Sequence, residues 1–189
     1  NWDTPIPIRS RPDSLHMTSQ NIKNMGETIS RIKAIPQPEQ RTPEWYEFRH
    51  GLITASNLYK VFGSEAVRNS IIYEKCLPRK EEGDYVGGGA YVNTSSPMHW
   101  GQKYEPVSVM LYENIYNSKV EEFGCIQHPH YSYIGASPDG IITDTSSDRY
   151  GRMLEIKNIV NRDITVPSKA YWVQMQMQME TCDLDECDF

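Results

Sequence analysis

The chain has 189 residues, 38% of them hydrophobic and 23% charged, which predicts one globular domain of nearly average composition. This composition excludes a wholly disordered, collagen-like or coiled-coil chain. No apolar run approaches the roughly 20 residues of a membrane-spanning helix, so we expect no membrane partner. Four cysteines are too few for a disulfide scaffold at this length, so we expect reduced thiols and an intracellular protein.

The net charge is −6, but the charge is distributed unevenly. Residues 180–189 contain five acidic residues and no basic ones, and the rest of the chain is nearly neutral. An acidic chain argues against a non-specific nucleic-acid binder, whereas a metal-dependent nuclease needs acidic residues in its site. Overall charge therefore leaves both possibilities open.

The first 40 residues read as an arm followed by a helix. Residues 1–19 are rich in Pro, Ser and Arg, which indicates an extended arm. Apolar residues then recur at spacings of three and four, which predicts an amphipathic helix over 20–35. These residues are Ile22, Met25, Ile29 and Ile32. We therefore divide the chain into an N-terminal arm and helix, 1–40, and a main domain, 41–189.

Cap and breaker residues predict four helices in the middle of the chain. They span 42–51, 54–63, 64–76 and 96–116. Thr42 suits the N-cap of the first helix and Pro43 its first turn, and the last helix contains Pro106. Between the last two lies a polar segment, 79–96, with three consecutive glycines, which predicts a long functional loop.

The C-terminal third alternates between strand and helix patterns. β-Branched and aromatic residues predict strands at 119–127, 131–136 and 152–160, with a short strand between the last two. The run QMQMQM alternates like a strand, but Met and Gln favour a helix over 169–181, capped by Ser168. Its predicted core stripe is formed by Tyr171, Met175 and Met179. We expect a further strand beyond position 189, and hence a truncated chain.

Three residues have the chemistry of a phosphodiester-cleaving metal site: Asp139, Glu155 and Lys157. Such a site needs hard oxygen ligands for Mg²⁺, an activated water and a nearby cation. Period-two alternation places Glu155 and Lys157 on one face of a strand, and the Ile156 carbonyl can add a neutral ligand. Asp139 follows in a turn from a neighbouring strand. The trio alone is also compatible with a turn Asp and an exposed Glu–Lys pair.

Further residues in the sequence support the interpretation of this trio as a metal-dependent catalytic site. Glu105 lies on the helix before the strands, and Gln174 and Gln176 lie on the last helix. Arg49 precedes a helix start that carries the hydroxyls of Thr54 and Ser56. Arginine and free helix N–H groups both bind phosphate.

Together these runs resemble the lambda-exonuclease/YqaJ-type viral recombinases of the PD-(D/E)XK nuclease superfamily. The matching runs are EWYEFRHGLITASN (44–57), WGQKYE (100–105), GASPDGI (135–141), LEIK (154–157) and QMQ (174–176). The resemblance covers about 41–182. It implies an α/β (α+β) fold with a restriction-endonuclease-like core, a central mixed sheet flanked by helices, and an N-terminal helical extension.

The resemblance implies a 5′→3′ exonuclease that acts on double-stranded DNA ends and leaves 3′ single-stranded tails for viral recombination or genome processing. Asp139 and Glu155 would hold Mg²⁺ or Mn²⁺, Lys157 would orient the attacking water, and Glu105 would assist a second ion.

The resemblance also assigns a pocket for the 5′-phosphate. Its members are Arg49, Thr54, Ser56 and Arg162. Gln174 and Gln176 match the motif that supports the catalytic site. Because residues two apart on a helix point in different directions, we expect Gln174 to face the site and Gln176 to face elsewhere.

The partners implied are duplex DNA ends, a single-strand annealing protein and further copies of the chain in a trimer, in the host cytoplasm or nucleus. Three alternatives stay open. They are an endonuclease of the same superfamily, an iron–sulphur DNA exonuclease, and a nuclease-fold protein that binds DNA ends or serves assembly without cutting.

Overall fold

The computed structural model describes residues 18–79, 97–159 and 166–189. Most of the predicted arm and of the glycine-containing loop therefore lies outside the described residues. The helices are α1 Ser19–Ala34, α2 Pro43–His50, α3 Ala55–Leu58, α4 Glu65–Cys76, α5 Pro97–Tyr116 and α6 Lys169–Cys182. The strands are β1 Ile53–Thr54, β2 Val120–Glu121, β3 Ile126–Gln127, β4 Ile134–Ala136, β5 Gly140–Ile142, β6 Met153–Leu154 and β7 Cys187–Asp188.

Side-chain caps mark the starts of α2 and α6, as predicted. The Thr42 hydroxyl accepts a hydrogen bond from the Trp45 backbone N–H at 3.2 Å, and Ser168 caps α6 in the same way. The predicted helix over 54–63 is shorter than expected, because α3 changes into a 3₁₀ turn over Tyr59–Phe62. Segment 169–182 is helical, so Met and Gln propensity prevails over the alternating pattern.

The core stripe predicted for α6 is correct only in part. Met175 is buried and Met179 packs against the core, whereas Tyr171 is half-buried. The buried face also carries two polar residues, Gln178 and Thr181. Gln178 is buried because its amide binds a buried carboxylate, a contact that a purely apolar stripe cannot anticipate.

The strands form two mixed sheets, ordered β1-β4-β3 and β2-β5-β6-β7, with helices around them. This confirms the mixed α+β class, with the predicted central sheet divided in two. Strands β2 and β3 pair with β5 and β4 in the same antiparallel register on both sides of the division, Glu121 with Ile141 and Ile126 with Ala136. Strands β2 to β5 therefore form one long hairpin that runs through both sheets and is opened in the middle without an inserted residue.

The connector between α1 and α2 enters this opening, and so the single strand predicted over 119–127 is wrong. The Gly124 N–H donates to Gln37 Oε1 at 2.7 Å, and Gln40 Nε2 donates to the Phe123 carbonyl at 2.7 Å and to the Pro138 carbonyl at 3.2 Å. A Cβ at Gly124 would lie 2.2 Å from the Pro38 carbonyl oxygen, so this approach requires glycine. Pro138 has no N–H to donate to a ladder.

Strand β6 is also shorter than the predicted 152–160, of which the structure describes residues up to 159. The Glu155 N–H still donates to the Asp188 carbonyl of the neighbouring chain segment, but the Ile156 N–H donates to the Asp139 side chain. The backbone is thus diverted from the sheet to a carboxylate at the opening.

The hydrophobic core joins α1 to the sheet and to the end of α6. It consists of Ile32, Phe123, Ile126, Ile141, Met153, Cys182 and Leu184. Ile29 and Ile32 are buried and Met25 packs against the core, as the amphipathic pattern predicts. Among the helices of the described ranges, none has the length and apolar character that crossing a bilayer requires.

Candidate active site

Glu155 lies at the end of β6 with only 1% of its surface exposed. Its Oε1 accepts hydrogen bonds from Lys157 Nζ and from Gln174 Nε2, the latter at 2.7 Å. Its Oε2 accepts from Gln178 Nε2 at 2.8 Å. A buried carboxylate needs such donors, and here one cation and two amides supply them.

Asp139 follows the opened part of the hairpin, directly after Pro138. Its Oδ2 accepts a hydrogen bond from the Ile156 N–H at 2.6 Å, which holds the carboxylate against the strand end. Burial and then the nearby Glu155 carboxylate raise the pKa of Asp139 to about 7, with a smaller contribution from Glu105. The three carboxylates therefore lie within electrostatic reach of one another.

Lys157 is the cation of this group. Burial lowers the pKa of its ammonium, but the carboxylates of Glu155 and Asp139 outweigh burial and the net shift is upward. Lys157 is therefore charged at neutral pH and acts as a hydrogen-bond donor. The side chains of Glu155 and Lys157 meet as predicted, although both residues follow the end of β6 instead of lying on the predicted strand.

Glu105 extends from α5 into the same cleft. Its Oε1 accepts a hydrogen bond from Arg41 Nη2 at 2.5 Å. Arg41 belongs to the connector between α1 and α2, the same segment that enters the opened hairpin. Its backbone has a positive φ of 66°.

The donor set suits a hard divalent cation in its chemistry. The buried carboxylate of Glu155 and the half-buried one of Asp139 lie beside a strand-end backbone. Burial and then the charge of Glu155 raise the pKa of Asp139, and a bound cation would offset both effects. The Ile156 carbonyl could complete the set. In the described ranges, however, no three His, Cys, Asp or Glu side chains are grouped to hold a metal ion. Glu105, the third carboxylate, is engaged by Arg41.

Arg49 lies at the other end of the cleft, where parallel pairing of β1 with β4 brings α2 beside the opened hairpin. Its Nη1 donates to the Ser137 hydroxyl at 3.0 Å, and its guanidinium lies 4.1 Å from the centre of the Trp45 ring. Burial lowers the pKa of Arg49. The hydroxyls of Thr54 and Ser56 lie 3.1 Å apart, and Thr54 is buried while Ser56 is exposed.

One cleft of about 420 Å³ brings most of the predicted site residues together. The predicted residues that line it are Arg49, Thr54, Ser56, Glu105, Asp139, Glu155, Lys157 and Gln174. Gln176 is exposed on the opposite side of α6, as the helical period predicts. Arg162 lies outside the described residues.

The sequence analysis missed Gln178, Gln40 and Arg41. Gln178 lies four residues after Gln174, and this spacing on one helix face is the signal that could have identified it. Gln40 and Arg41 gave no such signal, because the connector lies beside the cleft only through contacts with residues that are distant in sequence.

Solved structures of similar fold support this description of a nuclease-type fold. An alkaline exonuclease from Laribacter hongkongensis superposes with a TM-score of 0.60 and 28% sequence identity, covering 78% of this chain and 72% of that protein. The same exonuclease in complex with dAMP superposes with a TM-score of 0.59 over the same shares at 28% identity.

The sequence comparison defines the family. Residues 44–185 match the YqaJ-like viral recombinase domain, and the chain belongs to this family. Uncharacterized protein R354 of Acanthamoeba polyphaga mimivirus is 31% identical over 193 residues, which cover 94% of this chain. The chain spans only 33% of the length of that viral relative.

Proposed function

We propose that this domain is a divalent-metal-dependent exonuclease that degrades one strand of duplex DNA from its 5′ end and leaves a 3′ single-stranded tail. The observation that carries the proposal is the meeting of Asp139, Glu155 and Lys157 at the opening of the hairpin. The family and the nuclease fold support it. That the structural relative is an exonuclease with a dAMP complex supports a deoxynucleotide substrate.

Asp139 and Glu155, with the Ile156 carbonyl, would hold Mg²⁺ or Mn²⁺, and Glu105 would assist a second ion. Bound there, divalent ions would polarise the phosphate and lower the pKa of a bound water. The two amides of Gln174 and Gln178 hold the Glu155 carboxylate in one orientation. Amides are suited to this task because they fix an acid without neutralising it.

Hydrolysis forms a bond between a water oxygen and phosphorus and breaks one bridging phosphorus–oxygen bond. Lys157, charged at neutral pH, would orient this water and stabilise the negative charge that develops on the phosphate. The carboxylates of Glu155 and Asp139 favour the charged form of Lys157, which suits the role of a hydrogen-bond donor and cation.

The end of the cleft that contains Arg49 would bind the terminal 5′-phosphate. Arg49 offers a guanidinium that Trp45 and Ser137 hold in place, and the hydroxyls of Thr54 and Ser56 lie alongside. The buried Trp45 Nε1–H has no hydrogen-bond partner within the described residues and could donate to a phosphate oxygen. Arg162 remains a predicted further member of this pocket.

The wider roles are also proposals, since the chain spans a third of its viral relative. They are recombination or genome processing, cooperation with a single-strand annealing protein, and assembly into a trimer.

The test is digestion of linear duplex DNA labelled on one strand. Ends with a 5′-phosphate, ends with a 5′-hydroxyl and closed circles are compared with Mg²⁺ and with chelator. We expect metal-dependent loss of the 5′-phosphorylated strand only, and its absence in Glu155→Gln. Arg49→Ala should reduce the preference for a 5′-phosphate more than total DNA affinity.

Cleavage of circles would instead indicate an endonuclease, and DNA binding without cleavage would indicate an end-binding protein. Equal wild-type activity on 5′-phosphate and 5′-hydroxyl ends would refute the assignment of the phosphate pocket.

A further inference from the structure

Arg41 occupies a backbone conformation that is unfavourable for its residue type. Three non-glycine residues of the described ranges have a positive φ, namely Arg41, Asn117 and Asp183. Asn and Asp tolerate this left-handed region because their short polar side chains bond locally. Arginine has no such compensation, and a glycine there would remove the strain.

The strain lies in the tight turn that joins the connector to α2. The Thr42 N–H and hydroxyl both donate to the Glu39 carbonyl, which makes Arg41 the third residue of a four-residue turn. A positive φ at this place in a turn is usually supplied by Gly or Asn. Strained residues of this kind concentrate at functional sites.

The side chain of Arg41 extends into the candidate active site. Its guanidinium binds Glu105 at 2.5 Å in the same cleft that contains Asp139, Glu155 and Lys157. About 40% of the side chain stays exposed, so solvent or a ligand can reach the guanidinium. The ion pair places a monovalent cation on the carboxylate that the proposed function assigns to a second divalent ion.

We propose that Arg41 is a built-in counter-ion that exchanges its partner during substrate binding. It neutralises Glu105 while the site is empty of metal, and it binds a DNA phosphate once a divalent cation takes Glu105. This role rests on the proposed function, because it assumes that the cleft binds metal and DNA.

The electrostatic reason is competition for one carboxylate. A divalent ion and a guanidinium cannot both lie close to Glu105 without repelling each other, so each weakens the binding of the other. The displaced guanidinium then lies in a cleft through which the phosphate backbone must pass. Metal and DNA binding should therefore reinforce each other through Arg41, as linkage requires.

The test uses Arg41→Gly, which removes the guanidinium and suits the positive φ. Arg41→Lys retains a charge, and Arg31→Ala is the matched control because Arg31 forms an exposed ion pair with Asp183. Ca²⁺ affinity is measured by calorimetry without DNA. DNA affinity is measured with Ca²⁺ at several salt concentrations on a duplex with phosphorothioate ends.

We expect Arg41→Gly to bind Ca²⁺ several-fold more tightly and DNA about tenfold more weakly, with a salt slope smaller by about one. Its melting temperature should equal or exceed that of the wild type, since the turn is relieved. Arg41→Lys should recover part of the DNA affinity, and Arg31→Ala should change none of these quantities.

Unchanged DNA affinity and salt slope in Arg41→Gly would overturn the proposed exchange of partners, because Arg41 would then bind Glu105 and no DNA phosphate. A lower melting temperature with unchanged Ca²⁺ affinity would also overturn it, in favour of a structural ion pair. A wild type that binds no DNA with Ca²⁺ would overturn the proposed function as well, so the two failures are distinguishable.

Discussion

Strand β6 and its neighbour β7 carry buried or half-buried carboxylates on two faces, and the fold neutralises them differently. On one face, Asp188 accepts hydrogen bonds from the guanidinium groups of Arg149 and Arg152 and from the Tyr112 hydroxyl. The Asp188 backbone carbonyl accepts the N–H of Glu155, whose side chain extends from the other face by period-two alternation.

On that other face, positive charge is scarce. Glu155 and its neighbour Asp139 share one cation, Lys157, and the remaining donors to Glu155 are the neutral amides of Gln174 and Gln178. The repulsion between the two acids raises the pKa of Asp139, in addition to the effect of burial.

The comparison distinguishes a carboxylate that the protein neutralises from carboxylates that it leaves with too little positive charge. Asp188 has two arginine partners, so the protein itself neutralises it and locks β7 onto β6. The pair formed by Glu155 and Asp139 lacks one positive charge, which is what a site completed by an external cation requires. Residue type and burial alone would not separate the two.

The largest expected effect is that of Glu155→Gln. It removes one acidic ligand while keeping the size of the side chain and one of its two acceptor oxygens, so we expect cleavage to fall by about 10³-fold or more. Metal binding should fall with it, while the fold is retained. A labelled duplex and Ca²⁺ calorimetry measure both quantities. Wild-type cleavage by this variant would contradict the functional assignment of the acidic pair.

On the face of the sheet that carries Asp188, a substitution should reduce stability and leave metal binding unchanged. Asp188→Asn removes the carboxylate that Arg149 and Arg152 share, although Arg152 keeps its ion pair with Glu186. Breaking such a partly buried pair costs about 3 kcal/mol of unfolding free energy. Urea denaturation measures this loss. The folded fraction should keep its metal affinity, and a selective loss of that affinity would break the distinction between the two faces.

Two of the three glutamines of α6, Gln176 and Gln178, allow a finer comparison. Gln178→Leu removes a buried donor to Glu155, so we expect activity and metal affinity to fall by about 10–100-fold, as is typical for residues that orient a ligand. Gln176→Leu is the matched control, since Gln176 is exposed two residues away on the same helix. Steady-state kinetics of both variants measure the difference, and equal effects would refute the positioning role.

The smallest effect is a pH dependence of the metal-free protein. Asp139 has a raised pKa of about 7 against 3.8 for its ordinary value, so between these limits the folded state binds more protons than the unfolded chain. The free energy of unfolding should therefore fall as the pH rises from about 4 to about 7.

Denaturation in chelator across this range measures the slope, which Asp139→Asn should flatten and Mg²⁺ should counteract. An identical slope in the Asn variant would assign the pH dependence to another group.

Local sequence signals predicted the helices well. Thr42 and Ser168 cap their helices as expected, and the apolar spacing of α1 identified Ile29 and Ile32 as core residues. The helical period also separated Gln174, which contacts Glu155, from the exposed Gln176. These features succeed because caps and periodicity depend on residues within one or two turns.

The strands were predicted less well. Segment 119–127 has strand propensity throughout, yet Gln37 and Gln40 from a distant connector bind the backbone at its middle. The roles predicted for the site residues and the division at residue 40 stay predictions.

The sequence by itself determined the family, the starts of the capped helices and the identity of the acids and lysine that could form a site, because these depend on residue type and local spacing. Only the tertiary structure decided where the hairpin opens, that Gln178 joins Glu155, and that Arg41 reaches Glu105. Each of these contacts links residues more than 20 positions apart, where no local pattern constrains the partner. Long-range packing selects such partners, and it also sets the charge balance that distinguishes the two faces of β6.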